Sequence, residues 1–319
     1  PNDSYTSTEE GSWADSRSIP KKTQSRFPLT DSFRQLITDP GAAFQTAKGS
    51  AIKLADLYIY PDMQELLEKT EIKQILSTSL LQDFTRAENG ILLSGEEKVG
   101  ASSLLYMLHS RFHDQGLLPV YVRGADIKGA TDRDFEHAVR KAVVEQYGDG
   151  LVQKFSQTSN AKKILLLDDL DDSPVRAAAY RAKLLLAAKA HFKYFVVTVS
   201  ELFDFKASVA PHAEGGLADV REYRIMPFGY TLRAHLIRRW VHRTSDDGSL
   251  DEAKMLAKCD QAERLLDSVM SRNIVPPLPL YLLTLLQSID TGASGGFEES
   301  GLGEYYDFLI KEGLKSSGV

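Results

Sequence analysis

The chain has 319 residues, of which 43% are hydrophobic and 26% are charged, and its formal net charge at pH 7 is −6. This length suffices for two or three compact units, and the negative charge excludes a general attraction to nucleic acids or membranes. A single cysteine, Cys259, excludes an internal disulfide framework. Because the sequence shows no membrane-spanning apolar run and no signal peptide, we expect a cytoplasmic protein.

The N-terminal part of the chain is polar and begins at Pro1 rather than Met, so we expect a piece of a longer protein. Residues 1–30 are rich in Ser, Thr, Asp, Lys and Pro, which predicts a tail or linker rather than an independent domain. One short helix is expected within residues 31–48. A longer helix is predicted over residues 63–84, where these apolar residues recur at helical spacing: Leu66, Leu67, Ile72, Ile75, Leu76 and Leu80.

The centre of the chain alternates strands with helices, which is typical of a parallel β-sheet. The predicted strands are residues 91–93, 117–122, 164–167, 195–199 and 223–226. The predicted helices between them are residues 102–113, 132–147 and 175–190. After Pro227 the pattern is helical and Thr231 is a predicted N-cap. The helices predicted there are residues 231–243, 251–270, 280–289 and 302–314.

A glycine loop follows the first strand of this central part. Its sequence GEEKVGASS matches the phosphate-binding pattern G-x-x-x-x-G-K-[ST], except that Ala101 stands where the pattern has lysine. Loop amides and a helix N-terminus bind anions without any side chain, so we expect nucleotide binding with poor turnover. A binding switch, an inactive relic and an engineered block all remain open. The predicted nucleotide contacts are Gly95, Glu97, Lys98, Val99, Gly100, Ala101, Ser102 and Ser103.

An acidic cluster ends the third predicted strand, in the sequence ILLLDDLDD of residues 164–172. A buried strand that ends in acidic residues, downstream of a glycine loop, is typical of the metal-binding half of a phosphate-loop site. We predict that Asp168 holds Mg²⁺, directly or through water, beside the hydroxyl of Ser102. Asp169 is the predicted catalytic residue that polarises the attacking water. The structural alternative is an acidic loop after a core strand.

Three further groups of residues have weaker functional interpretations. Thr198 and Ser200 end the fourth predicted strand, where they either sense a γ-phosphate or merely form a polar strand end. His109 and His113 are four residues apart on a helix but lack the glutamate of H-E-x-x-H, so metal binding is not expected. The helix over 231–243 carries the basic residues Arg233, Arg238, Arg239, His242 and Arg243. One interpretation is that they reach a nucleotide or a neighbouring subunit. The other, which we favour for most of them, is a solvated helix face.

Three features, in this order along the chain, resemble the signal-transduction NTPases with numerous domains, the STAND class that includes NACHT and NB-ARC proteins. They are the glycine loop, the strand end LDDLD of residues 167–171, and the proline-rich sequence VPPLPLYLL of residues 275–283. The last looks like the motif that contacts the adenine side of the nucleotide, which makes Pro279 a predicted contact. The sequence DLYIYP of residues 56–61 looks like the lead-in of bacterial members. The resemblance covers residues 55–315, approximately.

The resemblance implies an α/β fold of the ASCE-type P-loop NTPase kind. Its five-stranded parallel sheet would have the order 5-1-4-3-2, and a helical lid would follow. Residues 1–50 would be a flexible leader from an upstream effector domain. Residues 51–228 would form the NTPase domain, and residues 229–319 the lid and the start of a winged-helix-like region.

The function implied is a molecular switch that binds ATP or ADP with Mg²⁺. Such proteins form homo-oligomers when a downstream sensor detects a ligand, and bacterial members commonly defend against phage. Two rivals remain. The first is a scaffold without nucleotide, which Ala101 favours and which Ser102, Asp168 and the proline motif oppose. The second is a DNA-acting ATPase of the origin-binding or helicase-loader type, although the chain offers only one basic helix, so neither nucleic acid nor membrane is an expected partner.

Overall fold

In the computed structural model of the chain, the described residues are 27–46, 49–66, 73–76, 90–200, 202–203, 205–244, 251–270 and 276–291. The predicted polar tail, except for its last four residues, and the predicted helix over residues 302–314 lie outside these ranges. The described residues form an α/β fold in which helices cover both faces of one sheet. None of the helices within the described ranges is long and apolar enough to cross a membrane.

The sheet is mixed and has seven strands among the described residues. In chain order they are β1 (Asp62–Glu65), β2 (Lys73–Leu76), β3 (Ile91–Gly95), β4 (Leu118–Arg123), β5 (Lys163–Asp168), β6 (Tyr194–Ser200) and β7 (Arg221–Ile225). Their order across the sheet is β2-β1-β7-β3-β6-β5-β4. Strands β7, β3, β6, β5 and β4 pair in parallel. These five strands correspond to the fifth, first, fourth, third and second predicted strands, and they lie side by side in that order.

Two antiparallel strands extend the sheet beyond β7, so the prediction of a purely parallel five-stranded sheet is wrong in this respect. Strand β1 pairs with β7 on one side and with β2 on the other. One helix was predicted over residues 63–84, but residues 63–65 belong to β1 and residues 73–76 form β2. Residues 67–72 and 77–84 lie outside the described ranges. Strand β1 has the sequence DMQE and carries no apolar run, so its pairing with β7 rather than a local pattern defines it. In return, β1 supplies partners for the backbone groups at the edge of β7.

Helices precede the sheet, connect its parallel strands and follow the last of them. In chain order they are α1 (Asp31–Thr38), α2 (Leu54–Leu57), α3 (Ala101–Asp114), α4 (Asp132–Tyr147), α5 (Val152–Gln157), α6 (Ala178–His191), α7 (Tyr230–Thr244), α8 (Glu252–Met270) and α9 (Pro279–Thr291). A reciprocal capping box between Thr131 and Asp134 fixes the start of α4. Thr231 is the second residue of α7 and not its predicted N-cap, because the helix already begins at Tyr230.

Both faces of the parallel sheet are buried, which explains the continuous apolar run of β5. Leu165 packs into a cluster that includes residues of α4 and α6, whereas its neighbour Leu166 packs into a cluster with α1 and α3. Helix α3 lies on the latter face, with Leu105 and Leu108 fully buried. The helix that follows the glycine loop is thereby fixed against the sheet.

Helices α7, α8 and α9 form a third apolar cluster together with residues that precede the sheet. Phe44 meets Trp240 edge to face at 5.7 Å between ring centroids. The Arg239 guanidinium donates to the backbone oxygen of Tyr58 at 2.6 Å, and the Arg243 guanidinium lies 3.0 Å from the Asp56 carboxylate. The segment before the sheet and the C-terminal helices therefore contact each other through both apolar packing and charge.

Candidate functional site

The glycine loop joins β3 to α3 through backbone in the left-handed region. Gly100, immediately before α3, has a φ of 98°, and Lys98 has a φ of 66°. Glycine adopts such angles freely, whereas a lysine there is strained, and strain of this kind is concentrated at ligand sites. The Val99 side chain is buried beneath the loop. A Cβ at Gly95 would lie 2.7 Å from Val99 Cγ1, so glycine at position 95 leaves room for the buried Val99 side chain.

A cavity of about 650 Å³ lies against this loop, within the size range of small-molecule sites. The predicted contacts that line it are Gly95, Glu97, Lys98, Val99, Gly100, Ala101, Ser102, Ser103, Asp169 and Pro279. Opposite the loop, the wall is largely apolar and comes from the segment before the sheet and from α7 and α9. Pro40 and Gly41 also line it; sequence reasoning missed them because neither belongs to a ligand-binding motif.

Asp168, the predicted metal residue, is buried at the end of β5 and is not among the residues that line the cavity. Thr198 Oγ1 donates to Asp168 Oδ1 at 2.6 Å, and the Tyr121 hydroxyl donates to Asp168 Oδ2 at 2.7 Å. A buried carboxylate with two such donors is satisfied without a direct counter-ion. This geometry fits contact with a metal through an intervening water.

Asp169 lies in the cavity wall with a left-handed φ of 48°, and its backbone N–H donates to Thr198 Oγ1 at 2.8 Å. Burial, followed by the negative charges of Asp168, Asp172 and Asp171, raises the pKa of the Asp169 carboxyl to about 7. A group with this pKa exchanges protons readily near neutral pH. The arrangement is therefore chemically suited to the role predicted for Asp169.

We expect Asp169→Asn to stabilise the folded chain more at pH 8 than at pH 5. The pKa of Asp169 is raised from 3.8 to about 7, so between these values the folded state keeps a proton that the unfolded state has lost. The free energy of unfolding therefore falls as the pH rises through this window, and asparagine removes that loss. Thermal melts should show an excess gain of about 2 °C at pH 8. An equal effect at both pH values would mean that the pKa is not raised.

Acidic side chains dominate the loop end of the cavity. Among the described residues of the wall, the charged ones are Lys98 and five carboxylates: Glu96, Glu97, Asp169, Asp171 and Asp172. Phosphate groups placed here are repelled unless a cation offsets these charges. No three His, Cys, Asp or Glu side chains of the described chain are grouped as a metal cage. The oxygen donors of Ser102, Asp168 and Asp169 instead fit Mg²⁺, which usually takes one or two carboxylates together with water and phosphate.

The weaker candidates are placed as follows. Ser200 lies in the cavity wall, and its N–H donates to the Asp171 carboxylate at 3.1 Å. Thr198 lies behind the wall and connects Asp168 to Asp169. His113 Nε2 lies 2.8 Å from the backbone oxygen of Phe27, and burial lowers the pKa of His109 to about 3. These contacts give both histidines a packing role in α3.

The basic residues of α7 do not line the cavity, as far as the described residues show. Arg239 and Arg243 bind the segment before the sheet, as described above. The Arg233 guanidinium lies 4.2 Å from the ring centroid of Tyr230 and 3.4 Å from the Asp267 carboxylate of α8. Arg233 is buried, whereas the other four basic residues of this helix are exposed. Most of them therefore lie on a solvated helix face, as the sequence favoured, although Arg239 and Arg243 also hold parts of the chain together.

Comparisons with known proteins find no matching family model and no matching curated protein. A RuvB variant of Thermotoga maritima is 11% identical, with 73% of this chain aligned to 66% of that chain and a TM-score of 0.41. Domain III of the Thermotoga maritima replication initiation protein DnaA is 15% identical, with 73% of this chain aligned to 89% of that chain and a TM-score of 0.37.

The Aeropyrum pernix ORC1 protein, solved in complex with DNA, is 16% identical, with 74% of this chain aligned to 75% of that chain and a TM-score of 0.32. With identities and TM-scores this low, the likeness adds nothing to what the strand order and the cavity indicate by themselves.

Proposed function

We propose that this chain is an adenine-nucleotide-binding module with a P-loop NTPase fold, acting as a molecular switch in a signalling or defence protein of the STAND class. The main support for the proposal is the position of the left-handed turn at Gly100. This turn places the start of α3 at the wall of a cavity of about 650 Å³, which Pro279 and other residues of α9 also line. A nucleotide in this cavity contacts the sheet and the C-terminal helices at once.

The phosphates bind at the loop end of the cavity in this proposal. Helix α3 has 14 residues, so its N-terminal N–H groups and its dipole attract an anion. Within the described residues, no side chain caps this N-terminus. Ser102 offers a hydroxyl to Mg²⁺ on one side and Asp169 offers a carboxylate on the other, while Asp168, behind the wall, would act through an intervening water. Bound Mg²⁺ would supply the positive charge that Ala101 does not.

The base binds against the apolar wall. Leu54 and Ile59 approach it from the segment before the sheet, Leu236 comes from α7, and Leu283 and Pro279 come from α9. Apolar walls with few polar groups suit a planar base. The choice of adenine rests on the likeness of the proline-rich segment to the adenine-contacting motif of the STAND class.

We expect negligible ATP hydrolysis. The missing lysine removes a charge that would stabilise the phosphoryl group in the transition state. Asp169 and bound Mg²⁺ alone do not replace it at that position. Steady phosphate release that Asp168→Ala abolishes would contradict this expectation and would assign an ATPase activity to the chain.

Titration calorimetry with ADP and ATP in the presence of Mg²⁺ tests nucleotide binding. We expect one nucleotide per chain for the parent protein and a roughly tenfold weaker affinity for Gly100→Ala, because alanine disfavours the left-handed turn. Gly116→Ala is the control, since Gly116 also has a positive φ, of 77°, a Cβ there would meet no atom within 4 Å, and it does not line the cavity. Absence of binding to both the parent and Ala101→Lys would overturn the proposed function.

Pro279 is the residue through which we expect nucleotide binding to affect the arrangement of the C-terminal helices. Pro279 begins α9, and its Cγ lies 3.9 Å from the point where a Cβ at Gly100 would be. A nucleotide that contacts both elements favours the arrangement in which it makes more contacts. We therefore expect Pro279→Ala to weaken nucleotide binding about fivefold, through lost apolar contact, and to shift the small-angle scattering profile without unfolding the sheet.

The control for this prediction is Pro211→Ala, in a short 3₁₀ segment over Ala210–Ala213. It should leave both the affinity and the scattering profile unchanged. If Pro279→Ala behaves like this control, Pro279 is only a helix-start proline and takes no part in switching.

The partners remain part of the proposal: a second copy of this chain, an upstream effector domain and a downstream sensor domain. A scaffold without nucleotide is the second candidate, and the observation in its favour is Ala101 together with the acidic wall. The calorimetric titration separates the two. The DNA-acting alternative is disfavoured because Arg239 and Arg243 are already bound to Tyr58 and Asp56.

A further inference from the structure

A chain of hydrogen bonds behind the cavity centres on Asp168. Tyr121 and Thr198 both donate their hydroxyl hydrogens to its carboxylate, at 2.7 and 2.6 Å. Thr198 Oγ1 in turn accepts the N–H of Asp169 at 2.8 Å. The Tyr121 oxygen is then free to accept from the hydroxyl of Tyr106, which lies 3.5 Å away on α3. Each hydrogen in this hydrogen-bond network therefore has one acceptor.

The sheet determines which way the Asp168 carboxylate faces. Strand β5 lies between β4, which carries Tyr121, and β6, which carries Thr198. Strand β3, which leads into the glycine loop, lies on the far side of β6. Oδ1 is therefore held on the loop side, and Oδ2 is held by Tyr121 on the opposite side.

Packing fixes the Tyr121 ring as well as its hydroxyl. The side chain is 6% exposed, and its ring lies 5.2 Å from that of Tyr106 and 6.3 Å from that of Phe33, measured between centroids. Tyr106 follows Ser102 by one helical turn on α3, so the two share a helix face. The phenol therefore has little freedom to leave Asp168, and it connects the metal-side carboxylate to the helix of the phosphate loop.

We propose that Tyr121 is a positioning residue for Mg²⁺ in the nucleotide site, an inference that rests on the proposed function. By holding Oδ2, it presents the carboxylate edge at Oδ1 to the waters of the metal. Phosphate binding depends strongly on this metal, because Ala101 carries no charge and five carboxylates line the cavity. Partners that orient a metal-bound group typically contribute about 10- to 100-fold in metal affinity.

The test is a Mg²⁺ titration of the full chain at a fixed concentration of ADP, with nucleotide binding followed by calorimetry or by a fluorescent ADP analogue. For Tyr121→Phe we expect the half-saturating Mg²⁺ concentration to rise about tenfold. Any ADP binding that remains in excess chelator should be the same for this variant and the parent, because the loop amides are untouched. A purely structural role of the hydroxyl would leave the Mg²⁺ requirement unchanged.

Tyr147→Phe is the matched control. Tyr147 is buried and donates its hydroxyl to the backbone oxygen of Pro119, away from the cavity. It should lose a buried hydrogen bond without changing the Mg²⁺ requirement. A Mg²⁺ midpoint for Tyr121→Phe equal to that of the parent, or an equal rise in Tyr147→Phe, overturns the role of Tyr121 alone. A parent chain that binds no ADP at any Mg²⁺ concentration overturns the proposed function and this inference with it.

Discussion

Replacing Ala101 by lysine should tighten ATP binding by roughly 1 to 3 kcal/mol, the scale of a hydrogen bond to a charged group. Ala101 is the first residue of α3 and lines the cavity directly after the Gly100 turn. A lysine there places an ammonium group among the phosphates and offsets part of the acidic wall. Calorimetry with ATP and with ADP at constant Mg²⁺ measures the change, and the gain should be larger for ATP, which carries the γ-phosphate.

Ala101→Met is the control for this substitution, because methionine has a long unbranched side chain without a charge. It should bind ATP as the parent does, and the lysine variant should lose more affinity than the methionine variant as the salt concentration rises. Equal ATP affinities for the lysine and methionine variants would show that phosphates do not lie at the start of α3.

The second large effect is expected at Gly124, which directly follows β4. A Cβ at this position would lie 2.0 Å from the backbone oxygen of Asp169 and 3.0 Å from Leu170 Cα. Because these atoms are backbone, no side chain can rotate to make room. We expect Gly124→Ala to lower the free energy of unfolding by about 1 to 3 kcal/mol, as overpacking does, and to displace Asp169 from the cavity wall.

Gly150→Ala provides the comparison, since a Cβ at Gly150 would meet no atom within 4 Å. Denaturant unfolding should leave its midpoint close to that of the parent, whereas the midpoint of Gly124→Ala should fall clearly. Coincident unfolding curves for Gly124→Ala and the parent would mean that β4 and the acidic turn do not pack as closely as described.

The central strands and helices could be predicted because their sequence patterns are local. Strand β5 is buried on both faces and therefore appears as the uninterrupted run ILLL. Helix α4 begins at Asp132 and ends at Tyr147, as its apolar spacing and the following glycine indicate. The glycine loop and the acidic strand end were found for the same reason, since each is a short contiguous motif.

The remaining features depend on contacts between distant parts of the chain. Strand β1 forms because β7 offers an open edge, which the sequence of residues 62–65 does not reveal. Tyr121 looks like an ordinary strand tyrosine until the fold brings it to Asp168, 47 positions later. In the same way, the close approach of Gly124 to Asp169 has no local signal. Sequence motifs thus located the candidate site, whereas its supporting residues required the fold.

Amide hydrogen exchange with and without ADP and Mg²⁺ tests most directly the claim that the loop backbone binds phosphate without a lysine. We expect slower exchange at the amides of residues 98–103, which comprise the left-handed turn and the first turn of α3, where helical N–H groups lack intrahelical partners. Helix α4, away from the cavity, should exchange at the same rate in both conditions. Unchanged exchange over residues 98–103 at saturating nucleotide would mean that phosphates do not bind at this loop.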